Sequence, residues 1–257
     1  MLKQSLGELI GTFILVFIGC SSVAISTLGI GLSSLLEVAI IWGIGVTLAI
    51  YSVRKFCPAH LNPAVSLSLY LEKKICATTL LSFILFQFMG AVIAGLLVFI
   101  LFNSQLIEFE HANGIIRGTI NSRESARMFG EYFKTGNWYG KYGDLVNAMY
   151  AEAKGTFVLV FVILIIGKTR RKIGDIAPLL IGLTITLLIL WIAPDTQGGF
   201  NPARDFGPRL VAYFGGWKDA AFPPIPYSFF TVYILAPFIG GTLASLIFNL
   251  YRRYSKN

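Results

Sequence analysis

The tripeptide Asn-Pro-Ala occurs twice, at Asn62-Pro63-Ala64 and Asn201-Pro202-Ala203, and each copy breaks into sequence that is otherwise apolar. A given tripeptide turns up by chance on the order of once in several thousand windows, so two copies in one chain of this length are a strong constraint. Either copy alone reads as a helix start, because Asn caps well and Pro suits the first helical position. Two copies at matching places in similar halves read as duplicated architecture.

The surroundings fix the environment. The chain is 55% hydrophobic and 13% charged, with a mean hydropathy of +0.71, outside the range of soluble domains. Crossing about 30 Å of hydrocarbon takes roughly 20 apolar residues, and six runs qualify, near 6–27, 33–53, 77–102, 145–167, 176–193 and 227–250. The first follows Lys3 as a signal peptide would, but it carries Glu8 and Gly11 and lacks a cleavage site, so it reads as a retained helix.

A formal charge of +8 raises the alternative of a nucleic-acid binder, yet the basic residues are placed as topology signals. Lys3, Arg54, Lys55, Lys73, Lys74, Lys168, Arg170, Arg171, Lys172, Arg252, Arg253 and Lys256 fall on one side of a six-helix arrangement. That side is predicted to be cytoplasmic, with both termini inside a plasma or inner membrane, lipids around the helices and no nucleic-acid partner. The opposite side holds a long loop, 103–144, where Arg117, Arg123, Arg127, Lys134 and Lys141 are nearly balanced by Glu108, Glu110, Glu124, Glu131 and Asp144. Cys20, Cys57 and Cys76 have no metal-ligand spacing, and neither a metal nor a structural disulfide is expected.

Sliding the chain along itself by about 140 residues exposes a repeat. Glu8, Gly11, Thr12, Phe13, Leu15, Val16 and Phe17 match Glu152, Gly155, Thr156, Phe157, Leu159, Val160 and Phe161, while Gly43, Thr47, Leu48 and Ile50 fall on Gly182, Thr186, Leu187 and Ile189. Each copy has three crossings, an odd number, so the second enters from the opposite face. One domain over 1–257 is predicted, with inverted repeats near 5–102 and 145–251 and a shared site at the midplane. The segments 62–71 and 201–213 are too short to span. Each follows irregular sequence, Arg54 to Leu61 and Pro194 to Phe200. Such backbone survives at membrane depth only inside protein or along a wet cavity, which predicts two re-entrant half-helices in an all-α fold.

Two half-helix N-termini meeting head to head set positive dipole ends at the membrane centre, a barrier to cations and hopping protons. Asn62 and Asn201 are expected to cap with their oxygens and to donate from their nitrogens to a passing oxygen. Arg204 is expected to line the outer mouth and repel cations. An ion pair with Asp205 is the bland alternative, disfavoured because adjacent helical residues do not face each other.

Glu8 and Glu152 resemble a catalytic pair, but their repeat equivalence favours accepting backbone N–H bonds from the re-entrant loops. Lys154 is expected to snorkel toward a wet surface. His60 faces a vestibule or is a satisfied loop histidine, two readings left open, and His111 has no evident role. The aromatics are expected mostly at lipid or interface, with Trp138, Tyr139 and Tyr142 forming a belt. Gly11, Gly43, Gly90, Gly155, Gly182 and Gly240 read as close helix crossings.

Six helices in an inverted repeat, with Ala59-His60-Leu61-Asn62-Pro63-Ala64-Val65 and the run from Gly199 to Pro208 around the motifs, resemble the major intrinsic proteins, the aquaporins and glycerol facilitators. The resemblance covers about residues 5 to 251. It implies a passive pore, a homotetramer with one pore per subunit, no cofactor, and a narrowest point formed by Trp42, Ile189, Gly198 and Arg204. The water-selective branch typically has Phe and His where Trp42 and Ile189 stand, so a wider, greasier constriction suited to glycerol and similar neutral solutes, besides water, is implied. Asp205, Arg209, Trp138 and Ile234 resemble the glycerol branch, whereas Tyr233 stands where that branch has proline and Gly198 lacks its usual aromatic ring. A water-selective channel is the nearest alternative, and a secondary transporter shares the inverted repeat but needs coupling-ion ligands. No His-Glu-x-x-His or Gly-x-Ser-x-Gly motif is present, so no enzyme with catalytic residues is expected.

Overall fold

The computed structural model describes residues 1–136 and 140–254, without the side chains of 140–142 and 170–173. The aromatic belt expected at Trp138, Tyr139 and Tyr142 lies outside what is described. The helices are α1 (Leu2–Thr27), α2 (Leu35–Val53), α3 (Pro63–Leu71), α4 (Ala77–Ala112), a single turn α5 (Arg123–Ala126), α6 (Gly140–Ile173), α7 (Ala177–Thr196), α8 (Pro202–Ala212) and α9 (Ala236–Tyr254). Six of them are long and apolar enough to cross a membrane, α9 being prolonged at its start by a wide turn from Phe230. The half-helices α3 and α8 lie between them.

Packing follows the repeat. Helix α1 packs on α4 as α6 packs on α9, and α2 crosses α7 at the centre. Small residues bring the backbones close. A Cβ on Gly90 would lie 2.2 Å from the Leu9 carbonyl oxygen, and one on Gly240 would lie 2.1 Å from that of Ala153, its repeat mate. Gly43 and Gly182 meet face to face across α2 and α7 in the same way. Even the Phe13–Phe17 stack, at 5.7 Å between centroids, reappears as Phe157–Phe161 at 5.7 Å.

Several expectations are corrected. Gly11 and Gly155 are not helix crossings: they seat Leu61 and Phe200, whose side chains would lie 2.3 and 2.2 Å from an added Cβ. The third span does not stop near residue 102. Helix α4 continues to Ala112 because Leu106 is buried there and Glu110 is held by Arg117 and Ser125. Helix α7 likewise runs through Pro194 to Thr196, the proline sitting in the last turn. Many aromatics are core rather than lipid-facing, among them Phe83, Phe129, Phe200, Trp217, Tyr233 and Phe248, each at most 2% exposed. Lys154 stands over the rings of Trp191 and Tyr150, at 4.3 and 5.1 Å, so a cation–π contact holds its ammonium against half-exposed α7.

Candidate pore and constriction

The re-entrant loops are strained in the same pattern. Ala59 and Leu61 have φ of 56° and 53°, and their mates Gly198 and Phe200 have 83° and 52°. Left-handed backbone at non-glycine positions costs about 1–3 kcal/mol each and persists where surroundings over-determine it. Here a buried carboxylate does so in each half. Glu8 accepts from His60 N and Leu61 N at 2.8 and 2.6 Å, and Glu152 accepts from Gly199 N and Phe200 N at 2.9 and 2.7 Å. Gln87 Nε2 donates to Glu8, and Thr196 Oγ1 donates to Glu152. Both carboxylates are fully buried.

The half-helices meet at their N-termini. Asn62 Oδ1 accepts from Ala64 N at 2.8 Å, and Asn201 Oδ1 accepts from Ala203 N and Arg204 N at 3.1 and 3.2 Å, with Pro63 and Pro202 in first helical positions. The amide nitrogens depart from expectation. Asn62 Nδ2 donates to the Phe200 carbonyl at 2.9 Å and Asn201 Nδ2 to the Leu61 carbonyl at 2.8 Å. One N–H of each amide therefore ties the two tips together, and the second is left for the lumen.

Both asparagines line a long cavity of about 220 Å³ that also touches Arg54, Gly174 and His60. His60 answers to both earlier readings: it lines this cavity, yet its Nδ1 lies 3.1 Å from Ser66 Oγ and its ring meets Phe83 edge-on. From Arg54 to Trp42 along α2 is about 18 Å at 1.5 Å per residue. A second cavity of about 440 Å³ opens on the Glu131 face. Trp42 and Ile189 wall both cavities, so the boundary between them is theirs, and Gly198 and Arg204 join them on the long-cavity side. The Arg204 guanidinium lies over the Trp42 ring and a Cβ on Gly198 would lie 3.7 Å from Ile189, so the four positions pair up beside that boundary.

Arg204 is 4% exposed, with its guanidinium 4.3 Å above the Trp42 ring. Its charged partner is not Asp205. Nη2 pairs with Glu131, while Asp205 pairs with Arg209 one turn on, at 2.9 and 3.0 Å and fully buried. The alternative of an Arg204–Asp205 ion pair is therefore not what forms. Glu131 was hidden in sequence because loop charges near balance read as solvated, and nothing local marks a carboxylate that meets an arginine 73 residues later. Tyr233, which stands where the glycerol branch has proline, has a structural task that its local sequence does not signal. Its hydroxyl donates to the Thr196 carbonyl at 3.1 Å, bracing the second re-entrant loop.

Residues 1–248 match the family described as Major intrinsic protein. The chain belongs to the major intrinsic protein family. Among relatives of this family, the glycerol uptake facilitator protein of Pseudomonas aeruginosa is 38% identical, over 94% of this chain and 86% of that one. The propanediol uptake facilitator PduF of Salmonella typhimurium is 35% identical, over 97% of this chain and 94% of the relative. The solved aquaglyceroporin from Plasmodium falciparum shares the fold with a TM-score of 0.79, covering 96% of this chain and 95% of its own, at 23% identity. As a major intrinsic protein this is an integral, multi-pass membrane protein, and its paired tips are the meeting point of the two inverted halves.

Proposed function

We propose that the chain is a passive channel through which glycerol, other small neutral polyols and water move down their gradients while ions and protons are held back. Relatives named for glycerol and propanediol uptake support the solute class. The observation that carries the reading is the constriction. Trp42 and Ile189 present apolar walls to a carbon chain, and Arg204 stands beside them with Nε and Nη1 free of hydrogen-bond partners among the described residues. The water-selective alternative calls for a polar residue where this chain has Ile189. Ion exclusion comes from two half-helix N-termini, each carrying roughly half a positive charge, converging at Asn62 and Asn201.

The same reading treats 1–257 as one channel domain and Asn62, Pro63, Ala64, Asn201, Pro202 and Ala203 as the pore motif, supported by Glu8, Glu152, His60 and Asp205. It places the chain as a homotetramer in the plasma membrane, with loop 103–144 outside and both termini cytoplasmic. A secondary transporter would need carboxylates free to bind coupling ions, and Glu8 and Glu152 are occupied by backbone. Stopped-flow light scattering on proteoliposomes tests the proposal. Glycerol flux far above that of empty vesicles, unaffected by a proton gradient, is the expected result. Water flux without glycerol flux would establish the water-selective alternative, and gradient-driven accumulation would establish a transporter.

A further inference from the structure

The segment 130–134 is laced across the mouth of the pore. Asp205 Oδ1 accepts from Glu131 N at 2.8 Å, and Arg209 Nη2 donates to the Glu131 carbonyl at 2.6 Å. Gln197 Oε1 accepts from Tyr132 N at 2.6 Å, and Lys134 N donates to the Asp195 carbonyl at 2.9 Å. Gly130 leaves room for this, since a Cβ there would lie 2.6 Å from Arg209 Cζ. The buried Asp205–Arg209 pair therefore grips the Glu131 peptide on both sides and delivers its side chain to Arg204.

Only one oxygen of that side chain is engaged. Oε1 meets Arg204 Nη2, whereas Oε2 has no hydrogen-bond partner among the described residues. Glu131 is 3% exposed and lines the mouth cavity beside Trp42 and Ile189. Oε2 is not sealed off from the mouth cavity, and a carboxylate oxygen largely withdrawn from bulk water is costly unless water or a solute donates to it there. A carboxylate acceptor and guanidinium donors thus stand side by side at the boundary of the two cavities.

We infer that Glu131 is a specificity-determining residue of the constriction, its carboxylate accepting an O–H from one hydroxyl of a small polyol while Arg204 donates to the neighbouring hydroxyl oxygen. The inference rests on the polyol reading above. A vicinal diol meets the two groups with two different oxygens joined in one molecule, whereas a water must serve both from one oxygen, so the pair favours polyols over water. It also makes the preference depend on pH. Burial pushes the Glu131 carboxyl up to about 7 against the pull of Arg204. The other charged groups facing it are Asp205 and Arg209 from α8, Arg127 from its own segment and Glu124 across the mouth cavity, and the neutral titratable groups are Cys20 of α1 and Tyr233 ahead of α9. Above that value the acceptor is a carboxylate, and below it a proton removes the charge.

Glycerol and water permeabilities measured on the same proteoliposomes, at about pH 8.5 and about pH 5.5 on both sides, test this. The parent's glycerol-to-water ratio is expected to fall about fivefold on acidification. Glu131→Gln is expected to show the low ratio at both pH values, and Glu131→Asp to keep a pH dependence. A Gln variant that retains the parent's ratio, or that loses water and glycerol flux in equal proportion, overturns the inference and leaves Glu131 a brace for Arg204. Should the Gln variant fail to insert, the parent decides alone, since a ratio flat with pH overturns the inference as well. A parent that passes water and no glycerol at either pH refutes the polyol reading itself, an outcome distinct from these.

Discussion

The two halves of this molecule share a scaffold and differ in what they hang on it. Each of the four residues at the constriction has a mate 139 positions away in the other half: Trp42 corresponds to Ile181, Ile189 to Ile50, Gly198 to Ala59 and Arg204 to Val65. All four mates line the long cavity, as wall and not as boundary. An indole and a guanidinium stand at one end, where the first half's counterparts are aliphatic residues. Under the proposed function, the inverted duplication builds the passage and departures from it are what tune its selectivity. The supporting groups differ likewise: Asp205 and Arg209 form a buried ion pair where Ser66 and Tyr70 stand in the first half, and Ser66 instead meets Gln87 and His60.

The shared part is broken most severely at the carboxylates. Glu8→Ala and Glu152→Ala each leave two buried backbone N–H groups without acceptors and release the left-handed residues they restrain. A loss of about 3 kcal/mol or more is expected for each. Thermal unfolding in detergent measures it. A silent variant in one half would show that the halves are not held alike. A smaller matched pair is Gly90→Ala and Gly240→Ala, whose new methyl groups each meet a carbonyl oxygen of the packed helix. Near-equal losses of about 1–3 kcal/mol are expected, and a large difference between the two would end the packing comparison.

What sequence reveals tracks the same division. The duplicated features were legible because repetition turns weak local signals into strong ones: a capping Asn, a helical Glu and a small residue each mean little alone. The spans were legible from hydropathy, but their ends were not, since α4 outlasts its apolar run by packing Leu106 and pairing Glu110. The asymmetric part was legible only through resemblance, which put Trp42 and Arg204 at one level. Glu131 escaped both routes. It belongs to no repeat, and the groups that fix it, Asp205 and Arg209, act through its backbone, where side-chain identity leaves no trace.

Arg204→Val rewrites the second tip in the image of the first, where Val65 stands. The single substitution removes the cation that draws the Glu131 carboxyl down. The variants are therefore compared at about pH 8.5 or above, where the share of the carboxyl that stays ionised at the mouth attracts cations. A proton or cation leak about tenfold above the parent is expected, or about 1.4 kcal/mol off the barrier. Arg204→Val with Glu131→Gln removes both charges and leaves the helix dipoles as the main obstacle, so its leak should sit well below that of the single variant. Ion flux into dye-loaded proteoliposomes compares them. Equal leaks would mean that the two charges do not compensate each other.

The gentlest test concerns the indole. Trp42 lies flat because Gly19 of α1 offers no side chain, and a Cβ there would come within 2.3 Å of the ring. The mates of these two residues are Ile163 and Ile181, both lining the open part of the long cavity. Trp42→Ala should widen the boundary and raise the permeability of bulkier polyols by a few-fold relative to glycerol. Gly19→Ala should displace the ring toward the lumen and shift the size cut-off the other way. The opposite signs are what matter, because a general loosening of the fold would move both variants together. Permeability measured across a series of polyols of increasing length gives each cut-off. Shifts in the same direction would show that the ring does not set the width.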